Sequence, residues 1–450
     1  MRGNCLKYLL LQIRNISGKQ LIVPKMVSEP IVPIVQKIDT PQFKALFTPE
    51  LIKLNDLFKK NDFQLRMAGG AVRDLLMGIK PSDIDFATNA TPEKMKELFL
   101  REGIRMLNKN GEEHGTITCR IDDKENFEIT TLRHLDANRR DLTVNSLFLD
   151  LDGTVIDYFG GIKDLEKRQI VFVGDANQRI QEDYLRILRY FRFYGRLAID
   201  GEMHDKATLD AIISNRNGLK DISGERIWME LKKICVGRLG GAVLTTMLKR
   251  CNLASLLGLP ENADTVYFCK LHKRYYPKIE AMTLLSSLFT EMGQIEIFHK
   301  RCKLSYAEKT LTEFILEHRD EARKNVNSIL FFKNILLVEE RLHKFTRKKI
   351  QTSREKVIEL AKYAMVDDEL INELSIWEMP TFPIGGIDLM HNNISPGPHV
   401  KQILDHLFQI WIESEWMMSK EELLKHINDI EWNDKKTRVG CKRKLSSDTT

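Results

Sequence analysis

The 450-residue chain contains no apolar run near the roughly 18 residues that a membrane-spanning helix needs, which argues against a helical membrane protein. It has seven cysteines, odd in number and scattered, with no C-x-x-C pair. That pattern excludes a disulfide framework or a cysteine-based zinc site and describes reduced thiols. No internal repeat stands out. A strong charge bias is also missing, since 69 Lys+Arg against 63 Asp+Glu leave only +6. So small an excess does not by itself argue for nucleic acid. One local absence is more telling. Acidic residues are missing from Met1 to Ser28, where Arg2, Lys7, Arg14, Lys19 and Lys25 interleave with apolar residues such as those of KYLLLQIRNI. A basic, acid-free amphipathic leader predicts a mitochondrial transit peptide over residues 1–28, and Met26 offers a second start that would lack it.

What remains is an ordinary globular composition, 43% hydrophobic and 29% charged, long enough for about three domains. Up to about residue 180, short β-rich runs (QLRMA, GTITCRI, FEITTL, VIDYF, IVFVG) mix with helical ones. Beyond that point YLRILRYFRFYGRL, GERIWMELKKICV, AVLTTMLKRC and LLSSLFTEM carry helical apolar spacing. The expected class is α+β, an N-terminal head built on a small mixed sheet followed by an all-α body. A Pro/Gly-rich interruption at residues 380–398 precedes a last helical pair.

Several short motifs carry chemistry. Gly69-Gly70-Ala71-Val72-Arg73-Asp74 follows a strand and opens a helix, where glycines let backbone N–H groups approach a phosphate and Arg73 is placed to pair with one. Alone it would be a common structural turn. In Ser82-Asp83-Ile84-Asp85-Phe86, strand alternation puts Asp83 and Asp85 on one face and Ile84 and Phe86 in the core. Two adjacent carboxylates suit a hard divalent cation such as Mg²⁺ that is shared with substrate phosphates. Glu128, in mid-strand within FEITTL, supplies a third acid. Arg139, Arg140, Asp141 and Asn145 follow, two cations for a triphosphate and two helix-spaced polar groups for ribose hydroxyls. Asp183 and Arg186, three apart, present acceptors and donors as a Watson–Crick edge does, and Arg189 and Arg192 extend that face. Singly, each of these reads as a surface salt bridge or a capped helix. His204-Asp205 lacks further histidines at matching spacing and reads as a helix start. Lys344, Arg347, Lys348 and Lys349 form the densest basic patch of the body.

Taken in order, GGAVRD, DIDFAT, the strand glutamate, RRDLTVN and EDYLRILRYFRF resemble the tRNA nucleotidyltransferases, the CCA-adding enzymes of the polymerase-β-like superfamily. ISGERIWMELKKI and FPIGGIDLMHNNISPGP look like that family's neck and tail, so the resemblance spans about residues 40–430. It implies a catalytic head at 40–180, a neck at 181–270, a tRNA-binding body and tail at 271–432 and a disordered basic end at 433–450. It further implies Asp83 and Asp85 as Mg²⁺ ligands and Glu128 as the third catalytic carboxylate. Gly69, Gly70 and Arg73 would hold the triphosphate, and Arg139, Arg140, Asp141 and Asn145 the rest of the nucleotide. Asp183, Arg186, Arg189 and Arg192 would select CTP and then ATP, and Lys344, Arg347, Lys348 and Lys349 would contact tRNA. The product expected is CCA added to a tRNA 3′ end, with pyrophosphate released.

One departure stands out. Only His134-Leu135-Asp136-Ala137-Asn138 joins Arg133 to Arg139, where the family carries further strand and a flexible loop tied to the switch from C to A. Five extended residues span at most about 17 Å, enough for a turn but not for a long lever. The alternatives are therefore a CC-adding or poly(A)-type enzyme, an impaired tRNA-binding variant, or an incomplete splice form or gene model.

Overall fold

The computed structural model describes residues 33–107, 115–132, 136–343 and 352–429. The expected leader, Lys344, Arg347, Lys348 and Lys349, and the basic end at 433–450 lie outside the described residues. Two compact units divide between Lys163 and Asp164, earlier than the head boundary expected near residue 180. IVFVG, expected as a strand, lies beyond this division. Ile170, Phe172 and Val173 are buried there, but no strand forms, and Phe172 stacks on Tyr190 with ring centroids 5.6 Å apart.

The first unit is built on an eight-stranded sheet in the order β1-β8-β7-β2-β3-β6-β5-β4. Its strands are β1 (Ile34–Lys37), β2 (Leu65–Ala68), β3 (Asp85–Thr88), β4 (Arg105–Leu107), β5 (Thr116–Ile121), β6 (Glu125–Thr131), β7 (Phe148–Asp150) and β8 (Thr154–Asp157). Neighbours run antiparallel except β3 and β6, which pair in parallel. Despite the short joint that follows it, β6 has a partner on each side.

One face of the sheet is the main core. Met67, Phe86, Phe127, Ile129, Leu149 and Val155 pack there against Leu54 and Phe58 of α1 (Pro49–Lys60), Val72 and Leu75 of α2 (Gly70–Leu76), and Met95 and Phe99 of α3 (Pro92–Arg101). Helices α1 and α3 begin the same way. A threonine (Thr48 or Thr91) caps the first turn and a proline takes the first helical position, where its missing N–H costs nothing. The opposite face carries a small cluster of Ala68, Ala87, Ala137, Phe148 and Ile156. At its end the buried Asp157 carboxylate accepts from the backbone N–H groups of Phe159, Gly161 and Ile162. Gly161 lies against the Thr143 carbonyl so closely that no side chain fits. That contact fixes the turn carrying Asn145.

In the second unit the described residues form helices and no strand, as the periodicity predicts. These include α4 (Ala176–Glu182), α5 (Arg186–Leu197), α6 (Lys206–Asn215), α7 (Gly224–Cys235), α8 (Gly240–Thr245) and α9 (Thr265–Tyr275). LLSSLFTEM is helical only through Ala281–Leu285 and a short tight turn at Ser286–Leu288, after which Phe289 is extended. Asp205 caps α6 by accepting from the Thr208 N–H, so the His-Asp dipeptide is a helix start. His204 itself is core. Its ring stacks on Tyr194 with centroids 3.6 Å apart, and Nδ1 meets the Tyr190 hydroxyl at 3.0 Å.

Burial, and then the nearby Arg250 charge, push the His204 imidazole down from 6.5 to about 4. The folded state thus resists a proton that the unfolded state accepts. Its contribution to stability is full above pH 6.5 and is lost as the pH falls from 6.5 towards 4. Urea-unfolding midpoints should show His204→Gln gaining on the wild type across that interval. A pH-independent difference would contradict the assignment.

Candidate active site

The sheet register builds the centre of the site. Asp85 on β3 lies directly opposite Glu128 on β6, and Ala68 at the end of β2 lies opposite Asp85. In a parallel pair, register partners point to the same face, so the two carboxylates project side by side from mid-sheet. Both are exposed. Glu128 therefore avoids the desolvation cost of burial, since only its neighbours Phe127 and Ile129 turn inward. Asp83 lies before β3, which begins at Asp85, so strand alternation does not set the two on one face; it is exposed, with Ser82 Oγ 3.3 Å from its Oδ2. Phe86 is buried as expected, and Ile84 packs against the same core.

Among the described residues no group of three or more His, Cys, Asp or Glu is close enough to enclose a metal ion. The donor set still suits a hard divalent cation. Such ions are commonly held by one or two carboxylates and completed by water and substrate phosphates. Asp85 and Glu128, with Asp83 in the segment just before, are the carboxylates that could hold one.

Gly69 makes the turn from β2 into α2 at φ +66, a conformation that favours glycine. Its N–H donates to the Leu147 carbonyl at 2.9 Å. A Cβ at Gly69 would lie 3.2 Å from Nη1 of Arg140, so this glycine is the surface on which that guanidinium rests. Arg139 is exposed and Arg140 half-buried. The pieces quoted from sequence as separate motifs meet here.

Three expectations change. Asp141 and Asn145 do not sit on an α-helix, because the segment forms two tight turns, Asp136–Arg139 and Thr143–Asn145. Nor does Asn145 present its amide to a ribose. Its oxygen accepts from Arg73 Nη1, its nitrogen donates to Asp141 Oδ1 at 3.2 Å, and it is buried. Arg73 is 3% exposed and held on its other side by Asp74, with Nε and Nη2 at 3.0 and 2.9 Å from Oδ1. A buried chain Asp74–Arg73–Asn145–Asp141 thus ties α2 to the turn after Arg140. Its members are buried and bonded to one another. Asp74 had no role in the sequence reading, because nothing in its spacing marks it apart from its neighbours.

In the second unit Asp183 and Arg186 also part company. Asp183 ends α4 in extended conformation (φ −155, ψ 106), and Arg186 opens α5, so the shared helical face expected of them is broken by a turn. The Arg186 guanidinium bonds to the Glu182 carboxylate and, at 2.9 Å, to the Arg179 carbonyl. Asp183 Oδ2 accepts from Arg226 Nη2 at 2.8 Å, and its Oδ1 from the Leu185 N–H at 3.1 Å. Arg192 donates to the buried Glu230 at 3.0 Å and stacks over Phe193 at 4.4 Å, where Arg189 also lies at 5.6 Å. Arg226 and Glu182 were present in the quoted motifs but were assigned nothing. Their pairing spans 43 positions for Arg226, which no local pattern reveals.

A family model described as the poly A polymerase head domain matches residues 65–135 and 134–171, two pieces that meet at the short joint. The mitochondrial CCA tRNA nucleotidyltransferase 1 of Homo sapiens is 43% identical over 447 residues, covering 94% of this chain and 99% of its own. That of Danio rerio is 43% identical over 410 residues, 87% of this chain and 93% of its own. The chain belongs to the CCA tRNA nucleotidyltransferase family. The crystal structure of the Bacillus stearothermophilus CCA-adding enzyme with CTP superimposes with a TM-score of 0.61 at 25% identity, over 87% of this chain and 98% of that one. A CCA tRNA nucleotidyltransferase of this kind depends on a divalent metal ion, and the mitochondrial relatives support a mitochondrial location. No described helix is long and apolar enough to cross a membrane.

In this CCA tRNA nucleotidyltransferase, Asn145→Ala removes the bridge between Arg73 and Asp141 and leaves a buried guanidinium short of an acceptor. Denaturant unfolding of the head should show a loss of about 2–3 kcal/mol. A change below about 0.5 kcal/mol would mean that the chain is not a structural tie.

Proposed function

We infer that the protein adds CCA to the 3′ end of tRNA from CTP and ATP, without a nucleic-acid template, and releases pyrophosphate. The observation that carries this reading is the register pairing of Asp85 with Glu128 beside the Gly69 turn and Arg140. Phosphoryl-transfer chemistry needs carboxylates and a phosphate cradle in one place, and the relatedness over nearly the whole chain supplies the substrate class. In this reading the tRNA 3′-hydroxyl attacks the α-phosphate of the nucleotide. Asp83 and Asp85 would hold Mg²⁺, which when bound activates that hydroxyl and offsets the negative charge building on the phosphate. Glu128 adds a third carboxylate at the same spot. The Gly69-Gly70 backbone gives the triphosphate close approach, Arg139 and Arg140 supply its counter-charge, and Arg73 with Asn145 and Asp141 fixes the turn that carries them.

The base is read by Asp183 and Arg186, each held by a neighbour, Arg226 and Glu182 respectively. Arg189 and Arg192 complete that pocket over Phe193. The neck at 181–270 selects the nucleotide, while the body and tail at 271–432, with Lys344, Arg347, Lys348 and Lys349, bind the tRNA. A product begun at Met26 would lack the leader and work in the cytosol or nucleus.

A purified assay with tRNA lacking CCA, Mg²⁺, CTP and ATP should yield the full CCA end. Arrest after CC would instead favour a CC-adding enzyme with the short joint as its cause, and tRNA binding without incorporation an impaired variant. Asp83→Ala or Asp85→Ala should lower kcat by about a thousandfold or more, since several kcal/mol of charge stabilisation are lost. Retained turnover would remove the metal assignment. Arg226→Ala frees a half-exposed ion pair worth little in stability. The kcat/KM preference for CTP over UTP should fall by about three- to tenfold, with Arg226→Lys recovering part of it. An unchanged preference would show that Asp183 needs no such support.

A further inference from the structure

A cavity of about 980 Å³ in the helical unit lies outside every residue assigned above. Arg238, from the turn before α8, lines it together with Lys249 and Arg250, and with Lys270 and Lys273 of α9. Glu202 is the one acid in its wall. All five cations are exposed, and none forms an ion pair among the described residues. Other exposed cations of this unit do have a carboxylate partner, as Arg226 has Asp183, Lys232 has Glu308 and Arg274 has Asp368.

Three of the five are oriented by neutral backbone instead. Arg238 bonds to the Ala198 carbonyl, Lys249 Nζ to that of Ala263 at 3.0 Å, and Arg250 Nη1 to that of Glu202 at 3.5 Å. Carbonyl contacts fix direction without neutralising charge. Helix α8 also widens into a π-type turn at Thr246–Arg250, which carries Lys249 and Arg250, and such turns recur at functional sites. Five cations set against the single acid Glu202 leave the cavity with a net positive charge that an anion would offset.

We propose that this cavity is an anchoring site for the phosphodiester backbone of the RNA substrate. The cations are spread over three segments and face solvent, which suits an extended polyanion, whereas small-ligand sites bury most of their ligand. No Phe, Tyr or Trp lines the cavity, and its one ring, that of His272, is buried and held by the Gly237 carbonyl at 2.7 Å, so the contact is independent of sequence. The inference rests on tRNA being the substrate.

The test is equilibrium binding of tRNA lacking CCA to the full chain over a series of salt concentrations. Removing two phosphate contacts with the double variant Lys249→Gln/Lys273→Gln should weaken binding about thirtyfold near 0.15 M salt and lower the salt slope by about 2. The dissociation constant for CTP should not change, and Lys249→Arg/Lys273→Arg should bind as the wild type does. A thermal melt confirms that the variants are folded. Lys59→Gln/Lys60→Gln removes the same charge from exposed positions on α1 and should have little effect. Unchanged tRNA affinity and slope in the cavity variant would overturn the proposal, as would an equal loss in the α1 control. Loss of binding to free pyrophosphate with tRNA binding intact would also overturn it, in favour of a small-anion site. Failure of the wild type itself to bind tRNA would instead overturn the substrate reading, and this inference with it.

Discussion

The parallel pairing of β3 with β6 is the constraint on which the rest of the head depends. In an otherwise antiparallel described sheet, this one junction sets Asp85 opposite Glu128 and, through the next ladder, opposite the end of β2. Because side chains alternate with a period of two, a slip of one residue in either strand would turn its acid into the core and bring Phe86 or Ile129 out. The apolar face therefore enforces the register of the catalytic face. Two strands joined in parallel need a crossover, and here α3 and the β4–β5 hairpin occupy the chain between them. Much of the head is thus the connection that lets two carboxylates meet.

The turn at Gly69 works under a second constraint. It must bring backbone close to the Arg140 guanidinium, and its positive φ permits that approach. The position of Arg140 is held in turn by the buried chain from Asp74 to Asp141, and by Gly161 and Asp157 from below. Buried polar groups linked in this way are costly when one member is removed and rigid when all are present. The helical unit uses the same device in a looser form. Asp183 and Arg186 are partly exposed, and each is steadied by one oppositely charged neighbour.

The order of the motifs, the α+β division and the strand assignments for QLRMA, GTITCRI, FEITTL and VIDYF were all readable along the chain. So was Asp205 as a cap. These are local matters of alternation, periodicity and capping chemistry. Reading by spacing failed where a helix was assumed to continue. Asp141 with Asn145 and Asp183 with Arg186 were placed on helical faces, yet both segments turn. The Thr143–Asn145 turn is fixed by contact with Gly161, and the break at Asp183 coincides with its ion pair to Arg226. IVFVG has strand composition, but its apolar side chains are buried by packing among helical side chains such as Tyr190.

The sequence by itself determined which chemical groups are present and in what order, because strand alternation and glycine turns act within a few residues. It thereby determined the acids, the glycine turn, the paired arginines and the family to which they belong. Only the tertiary structure decided which groups face the site and which support it. Arg73 and Asn145 became internal ties, Arg226 became the partner of Asp183, and five cations from three separate segments came to share one cavity. Those outcomes depend on burial and on contacts between distant residues, and neither can be read from spacing.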